Sequence, residues 1–285
     1  YLEFRSASFQ SWHPLRREML ISTRFADTPQ LHLVKTPGGA RRQLTFLPEP
    51  VAGGSFRPKT GEMIVFAQDA GGGEFYQLFR YDVADAKVTL LTDGKSRNSG
   101  PQWSSDGRRF AYTSTRRTGK DNDIHVIDPA DPRSDRLLIE VTGGGWSVLD
   151  WSPDDTRLLV GEYVSINESY LWLADARTGA KELLTPRGGE KISWTGGKFA
   201  KDGKSIATAG GPAAAPDNAR LDREWTTEDL KDGPIDVTWS GYLWASTFAD
   251  ARSVSLSGPG PVSLEIDGEL LYGLPGSLTA SRRLV

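Results

Sequence analysis

Pro101-Gln102-Trp103-Ser104-Ser105-Asp106-Gly107-Arg108-Arg109-Phe110-Ala111-Tyr112-Thr113-Ser114 is echoed forty-eight residues later by Asp150-Trp151-Ser152-Pro153-Asp154-Asp155-Thr156-Arg157-Leu158-Leu159-Val160. Each copy reads as a hairpin. Asp-Gly accepts positive φ, so the dipeptide predicts a two-residue reversal of one strand onto the next. The aromatic before the turn gives the first strand a large apolar anchor. A module this short cannot bury both faces of its own sheet and needs neighbours of the same kind.

Outward from that stretch, the anchors fall at Trp12, Phe56, Trp103, Trp151 and Phe199, at spacings of 44, 47, 48 and 48 residues. An apolar strand follows each: Met19-Leu20-Ile21, Met63-Ile64-Val65-Phe66, Phe110-Ala111-Tyr112, Leu158-Leu159-Val160 and Ile206-Ala207. Third strands are expected at Leu31-His32-Leu33-Val34, Leu78 to Asp82, Ile124 to Asp128 and Tyr170 to Asp175. A fourth strand then ends in Leu44-Thr45, Leu91-Thr92, Val141-Thr142 or Leu184-Thr185. Four short strands per repeat with no 3.6-residue periodicity between them predict an all-β fold, a β-propeller of four-stranded blades. A β-sandwich would share the strand spacing but has no reason to echo at forty-eight residues. Six blades are expected, five of them recognisable.

The domain reading follows. Residues 1–209 form the propeller, and residues 210–285 form an atypical tail, read as divergent closing blade or blades. Residues 1 to 7 alternate loosely and offer a closing strand. Gly210 to Pro216 reads as a loop, and Asp222-Arg223-Glu224-Trp225 opens a polar run. Val237 to Ala245 and Val262 to Ile266 read as strands, the latter turning through Asp267-Gly268 into Glu269-Leu270-Leu271-Tyr272.

Composition limits the function classes. The chain has 285 residues, net charge −3 and a pI near 5.7, which gives no electrostatic case for nucleic acid. Thirty-one glycines, above the usual share of about 7%, and seventeen prolines suit many turns. The absence of cysteine removes disulfides, zinc-thiolate sites and a thiol nucleophile. No run approaches the ~18 apolar residues of a membrane span, and no signal peptide opens the chain. It reads as soluble, cytoplasmic or periplasmic, the compartment being undetermined; the first residue, Tyr1, points to a processed or partial chain.

The repeat unit, with its Trp-Ser-Pro-Asp opening and Leu-Thr close, resembles the TolB-like propeller repeat. More closely, the chain resembles the non-catalytic N-terminal propeller of bacterial peptidases of the prolyl oligopeptidase family. The stretches that carry this are Gly71-Gly72-Gly73-Glu74-Phe75-Tyr76-Gln77, Leu91 to Asn98 and Gly161 to Trp172, within residues 8 to 205. In that family the propeller caps an α/β-hydrolase domain bearing the Ser, Asp and His. Here no Gly-x-Ser-x-Gly elbow occurs and no strand–helix alternation follows, so the resemblance implies the gate without its catalytic partner domain.

Several candidate sites remain. Gly94-Lys95-Ser96 matches the end of a phosphate loop, but Thr89 stands where its first glycine belongs. Asp121-Asn122-Asp123 offers oxygens for calcium yet lacks the later Gly and Glu, and reads better as a turn. His32 and His125 occupy equivalent third-strand positions and, with His13, give no shared metal site; no metal and no cofactor is assigned. No catalytic residue is assigned either.

By the family resemblance, Glu74, Glu162, Asn167 and Glu168 are placed as contacts for a substrate's amino terminus, with Tyr163 beside them. Tyr163, Tyr170, Trp172 and Trp146 form an aromatic surface or inter-blade core. Asn167-Glu168-Ser169 is a glycosylation sequon, relevant only in a glycosylating pathway.

Three functional readings stand. The first is a gating module that takes a peptide or protein ligand on one face, alone or with an α/β-hydrolase domain outside these residues. The second is a TolB-like interaction scaffold. The third is a lactonase- or glycosidase-type propeller hydrolase using tunnel carboxylates.

Overall fold

The computed structural model describes residues 6–25, 27–69, 71–188, 191–212, 252–256, 262–266, 269–274 and 280–284. Among them there is no helix, so none is long and apolar enough to cross a membrane. The chain divides into two units, Tyr1–Asp217 and Asn218–Val285.

The first unit is a series of antiparallel meanders. Blade 1 comprises β1 (Ala7–Trp12), β2 (Met19–Thr23), β3 (Gln30–Val34) and β4 (Arg41–Gln43). Blade 2 comprises β5 (Val51–Phe56), β6 (Met63–Gln68), β7 (Gln77–Asp82) and β8 (Val88–Leu90). Blade 3 comprises β9 (Asn98–Trp103), β10 (Phe110–Ser114), β11 (Asp123–Asp128) and β12 (Asp131–Ile139). Blade 4 comprises β13 (Trp146–Trp151), β14 (Arg157–Ser165), β15 (Glu168–Asp175) and β16 (Lys181–Leu183). A fifth hairpin follows, β17 (Ile192–Phe199) paired with β18 (Ile206–Pro212). These sheets are those of a multi-blade propeller.

Each first strand carries an irregularity where it pairs with the second, at Phe9/Ser11, Ala52/Ser55, Val148/Asp150 and Thr195/Lys198, and opposite Ala111/Thr113 in blade 3. A bulge at this position bends the strand and increases its twist. First strands of successive blades lie against one another, β1 on β5, β9 on β13 and β13 on β17.

The core is the set of blade-to-blade interfaces. Leu20, Leu31 and Leu33 of blade 1 pack with Phe56, Ile64 and Phe66 of blade 2. Val65 and Leu78 of blade 2 pack with Phe110, Tyr112 and Ile127 of blade 3. Ala111, Ile124 and Val126 of blade 3 pack with Trp146, Trp151, Leu158 and Val160 of blade 4. Both faces of an inner blade are therefore apolar, and the repeat stays dry only because the next copy covers it.

The repeat's polar residues have specific work. Thr45, Thr92 and Thr185, just beyond the fourth strands, accept the backbone N–H of Leu31, Leu78 and Leu171 at 2.9, 3.1 and 3.0 Å. That is why Leu-Thr closes the blades: a buried third-strand N–H would otherwise lack an acceptor.

The Asp-Gly reversal differs from the expected two-residue turn. Trp103 pairs with Phe110, so the connection spans Ser104–Arg109. Ser104 Oγ accepts the Arg109 N–H at 3.1 Å and bonds Asp106 Oδ1 at 2.7 Å, while Gly107 takes φ of 72°. The side-chain cap widens the turn, and Ser152 repeats it with Asp154 and Arg157.

One further difference concerns the start of the tail. Gly210 to Pro212 are strand rather than loop, since Ile192 pairs with Pro212 in the β17–β18 hairpin. In the second unit, the hairpin expected from Val262 is present, with β20 (Val262–Ile266) on β21 (Glu269–Leu274), and β19 (Arg252–Leu256) pairs with β22 (Ala280–Leu284). The expectations for residues 1–5, the Asp222-Arg223-Glu224-Trp225 run, Val237 to Ala245 and the Asp267-Gly268 turn lie outside the described residues.

Candidate functional site

In a four-stranded meander, the connection after the second strand and the linker after the fourth emerge at the same end of the blade. Hydrogen bonds tie the two together: the Gly143 N–H of the blade 3–4 linker donates to Asp121 Oδ1 at 2.8 Å, and Asn122 Nδ2 donates to Gly144 O. This linker face carries a cleft of about 460 Å³ between blades 3 and 4.

Strand parity builds the cleft. Side chains two apart share a sheet face, and directly paired residues share it too. On blade 4, Trp146 pairs with Glu162, Glu162 with Tyr170, and Lys181 with Ala174, two residues from Trp172. All of them fall on the face that packs against blade 3. Trp146 and Trp172 stand 5.7 Å apart between ring centroids, with Lys181 Nζ 5.5 and 5.3 Å from the two rings. A cation over an indole face is favoured by the ring quadrupole. Arg117, Glu140, Val141 and Thr142 supply the blade 3 side, and Arg187 of the next linker completes the lining.

Charge within the cleft is largely paired. Arg187 Nη2 meets the Glu162 carboxylate at 3.0 and 2.9 Å, and the Trp172 indole N–H donates to Glu162 Oε2 at 2.9 Å. Arg187 also lies 4.3 Å over the Tyr170 ring while remaining 49% exposed. Arg117 is held by Asp123 at 2.7 and 2.9 Å and by Val141 O at 2.8 Å. Lys181 has no carboxylate within salt-bridge distance among the described residues.

Of the residues singled out in the sequence, Glu162 lines the cleft. Glu168 lies beside it on β15, where Lys191 Nζ approaches at 2.8 Å and Tyr170 donates its hydroxyl. The Lys191 and Tyr170 hydrogen bonds hold the Glu168 carboxyl below the usual range, and Glu168 in turn pushes the Tyr170 hydroxyl up. Tyr163, next to Glu162 on β14, is 59% exposed, and Asn167 is exposed at the β14–β15 turn. Glu74 belongs to blade 2: it is exposed in the β6–β7 connection at φ 59°, its N–H donating to Asp69 Oδ2 at 3.0 Å. The structure thus brings Glu162 and Glu168 together with Tyr170 and Trp172, and leaves Glu74 on another blade.

The sequence reading missed Arg117, Glu140, Lys181 and Arg187. The usable signal was parity on the outer strands, which puts Tyr170, Trp172 and Ala174 on one face and Lys181 opposite them. The Asp121 and Asp123 carboxylates are occupied by Thr118, Gly143, Arg117 and Val141 donors.

No protein-family model matches the chain. No curated protein matches it. Among solved structures it is similar to an oligogalacturonate lyase in complex with manganese, at 12% identity and TM-score 0.60, over 74% of this chain and 62% of that one. The manganese belongs to that lyase; among the described residues here, no three His, Asp or Glu converge to hold a metal ion. TolB from Acinetobacter baumannii is similar at 20% identity and TM-score 0.50, over 70% of this chain and 48% of that one. A prolyl endopeptidase is similar at 12% identity and TM-score 0.52, over 68% of this chain and 30% of that one. The chain therefore spans less than two thirds of the length of each. Identities this low speak to architecture alone, and the architecture is that of the propellers in TolB and in prolyl oligopeptidase-type peptidases.

Proposed function

We propose that this chain is a non-catalytic, peptide-binding and gating propeller. The observation that carries the reading is the linker-face cleft, in which two indoles and a lysine without a carboxylate partner surround a glutamate already held by Arg187. Such a lining can hold an apolar and charged ligand, and Glu162, held by Arg187 and by the Trp172 indole, is not free to exchange a proton with a substrate. The likeness to a prolyl endopeptidase over 30% of that chain supports a role beside a hydrolase domain, whose Gly-x-Ser-x-Gly elbow is not found in these residues. The module would act by admitting and orienting short, unfolded peptides and refusing folded ones.

The test uses the purified chain with pools of short peptides and with folded proteins, followed by calorimetry and by mass spectrometry for cleavage. The expected result is saturable binding of short peptides, none of folded proteins, and no turnover of peptide, lactone or glycoside. Turnover by the chain alone, or failure of every peptide pool to bind, overturns the reading.

A further inference from the structure

We propose that the cleft between blades 3 and 4 selects acidic peptides: an Asp or Glu side chain on Lys181, with a neighbouring apolar side chain on Trp172. This rests on the peptide-binding reading above and names the chemistry of its ligand.

Among the described residues, five ionisable groups line the cleft: Arg117, Lys181, Arg187, Glu140 and Glu162. Arg187 and Glu162 satisfy each other. Arg117 is committed to the buried Asp123 carboxylate, and Glu140 lies near enough for its charge to help raise the Arg117 pKa. Among the described residues, Lys181 is the lining cation without a salt bridge, as Glu140 is the lining carboxylate without one. Its ammonium stands over both indoles, 5.5 and 5.3 Å from the ring centroids. A cation on an aromatic floor keeps its outward donors for an anion, and a carboxylate there accepts a charge-assisted hydrogen bond.

The floor adds the second requirement. Trp146 is buried beneath, but Trp172 is only partly covered, because its place on β15 lies toward the outer edge of the blade. A Leu or Phe side chain beside the acidic residue would cover that remaining ring surface, which a free carboxylate alone would leave wet. The cleft volume of about 460 Å³ falls within the ordinary range for a ligand site and suits a few residues of an extended chain.

The experiment titrates the intact chain with the blocked peptide acetyl-Ala-Leu-Glu-Ala-amide, with its Gln counterpart, and with acetyl-Ala-Leu-Ala bearing a free C-terminal carboxyl. Calorimetry gives the affinity. The Glu peptide is expected to bind about tenfold or more tightly than the Gln peptide, the size of one charge-assisted bond. Lys181→Gln should erase that difference and Lys181→Arg should restore it, while Trp172→Leu should weaken both peptides together. Raising the salt should weaken the Glu peptide and leave the Gln peptide unchanged, a measurement on the wild type that needs no variant to fold.

Equal binding of the Glu and Gln peptides, or discrimination that survives Lys181→Gln, overturns the acidic selectivity and leaves peptide binding standing. Tighter binding of the C-terminal acid overturns the side-chain assignment. Failure of all three peptides while random pools bind elsewhere removes the cleft as the site. Failure of every peptide removes the underlying reading as well.

Discussion

Asp135 shows how much one side chain can decide in this fold. It sits on β12, and both its oxygens lie 2.9 Å from the Tyr112 hydroxyl while Arg116 Nη2 also donates to it. Burial by itself would push this carboxyl up, but His125, 3.7 Å away, and the hydrogen bonds of Arg116 and Tyr112 outweigh it and hold the pKa below the ordinary range. Burial and the Asp135 charge drive the Tyr112 hydroxyl the other way, so it remains a neutral donor. A carboxyl with a depressed folded pKa adds stability that is present above its unfolded value, about 4, and is lost as pH falls through the lower folded one. Asp135→Asn should therefore cost about 3 kcal/mol near neutral pH, since it leaves Arg116 facing a neutral amide. Urea melts of both proteins across the acid range check this, and the gap between them should narrow as pH drops below about 4. A gap that stays constant would mean the carboxylate's charge contributes nothing.

At the scale of elements, the turns between strands do the joining as well as the reversing. The β15–β16 turn reaches from blade 4 to blade 3: at Gly179, φ is 75° and an added Cβ would fall 2.0 Å from the Leu138 carbonyl oxygen. Gly119 has a similar φ of 80° with nothing within 4 Å. The pair separates backbone strain from collision. Gly119→Ala should cost about 1 kcal/mol for the left-handed backbone alone. Gly179→Ala should cost about 3 kcal/mol, because the two blades must also part. Equal losses in urea melts would remove the claim that this turn seats one blade on another.

The same elements show what a sequence carries. The strands were legible because Trp12, Phe56, Trp103, Trp151 and Phe199, each followed by an apolar strand, recur at 44 to 48 residues and local pattern sets each hairpin. Leu44-Thr45, Leu91-Thr92 and Leu184-Thr185 were legible as punctuation, though not as the hydroxyl caps they are. The turn at Ser104–Arg109 was read too short because the Ser104–Asp106 cap is a side-chain effect that the Asp-Gly pair does not announce. The cleft was half visible. Glu162, Tyr170, Trp172 and Trp146 stood out by type, but Lys181 and Arg187 meet them only through pairing across β15 and β16 and the fold-back of the linker, and no single stretch records that.

Across the first unit, stability should behave as a sum of blade contributions and nearest-neighbour interfaces. The ties are repeated and directional. The Trp103 indole donates to Ser55 Oγ of the preceding blade at 2.8 Å, and the Trp151 indole donates to Gln102 O at 2.9 Å. Arginines reach the opposite way: Arg57 to Gly107 O, Arg80 to Pro129 O, Arg136 to Ala176 O and Arg157 to Gly203 O, between 2.7 and 3.0 Å. Each crosses one interface, so each should affect that interface alone. Trp12 holds the same place in blade 1 as Trp151 in blade 4, yet it is 64% exposed whereas Trp151 is 3% exposed under the Arg109 guanidinium. The repeat gives them one residue type; the neighbour decides what it is worth. Trp151→Phe should cost about 1–2 kcal/mol, because Gln102 O loses its donor in a buried interface. Trp12→Phe, a surface change, should stay within about 0.5 kcal/mol. Urea melts of the two variants measure both, and hydrogen exchange should place the Trp151 loss in blades 3 and 4 rather than throughout the chain. Equal losses would mean that position within the repeat, and not contact with the adjoining blade, sets the energy of these anchors.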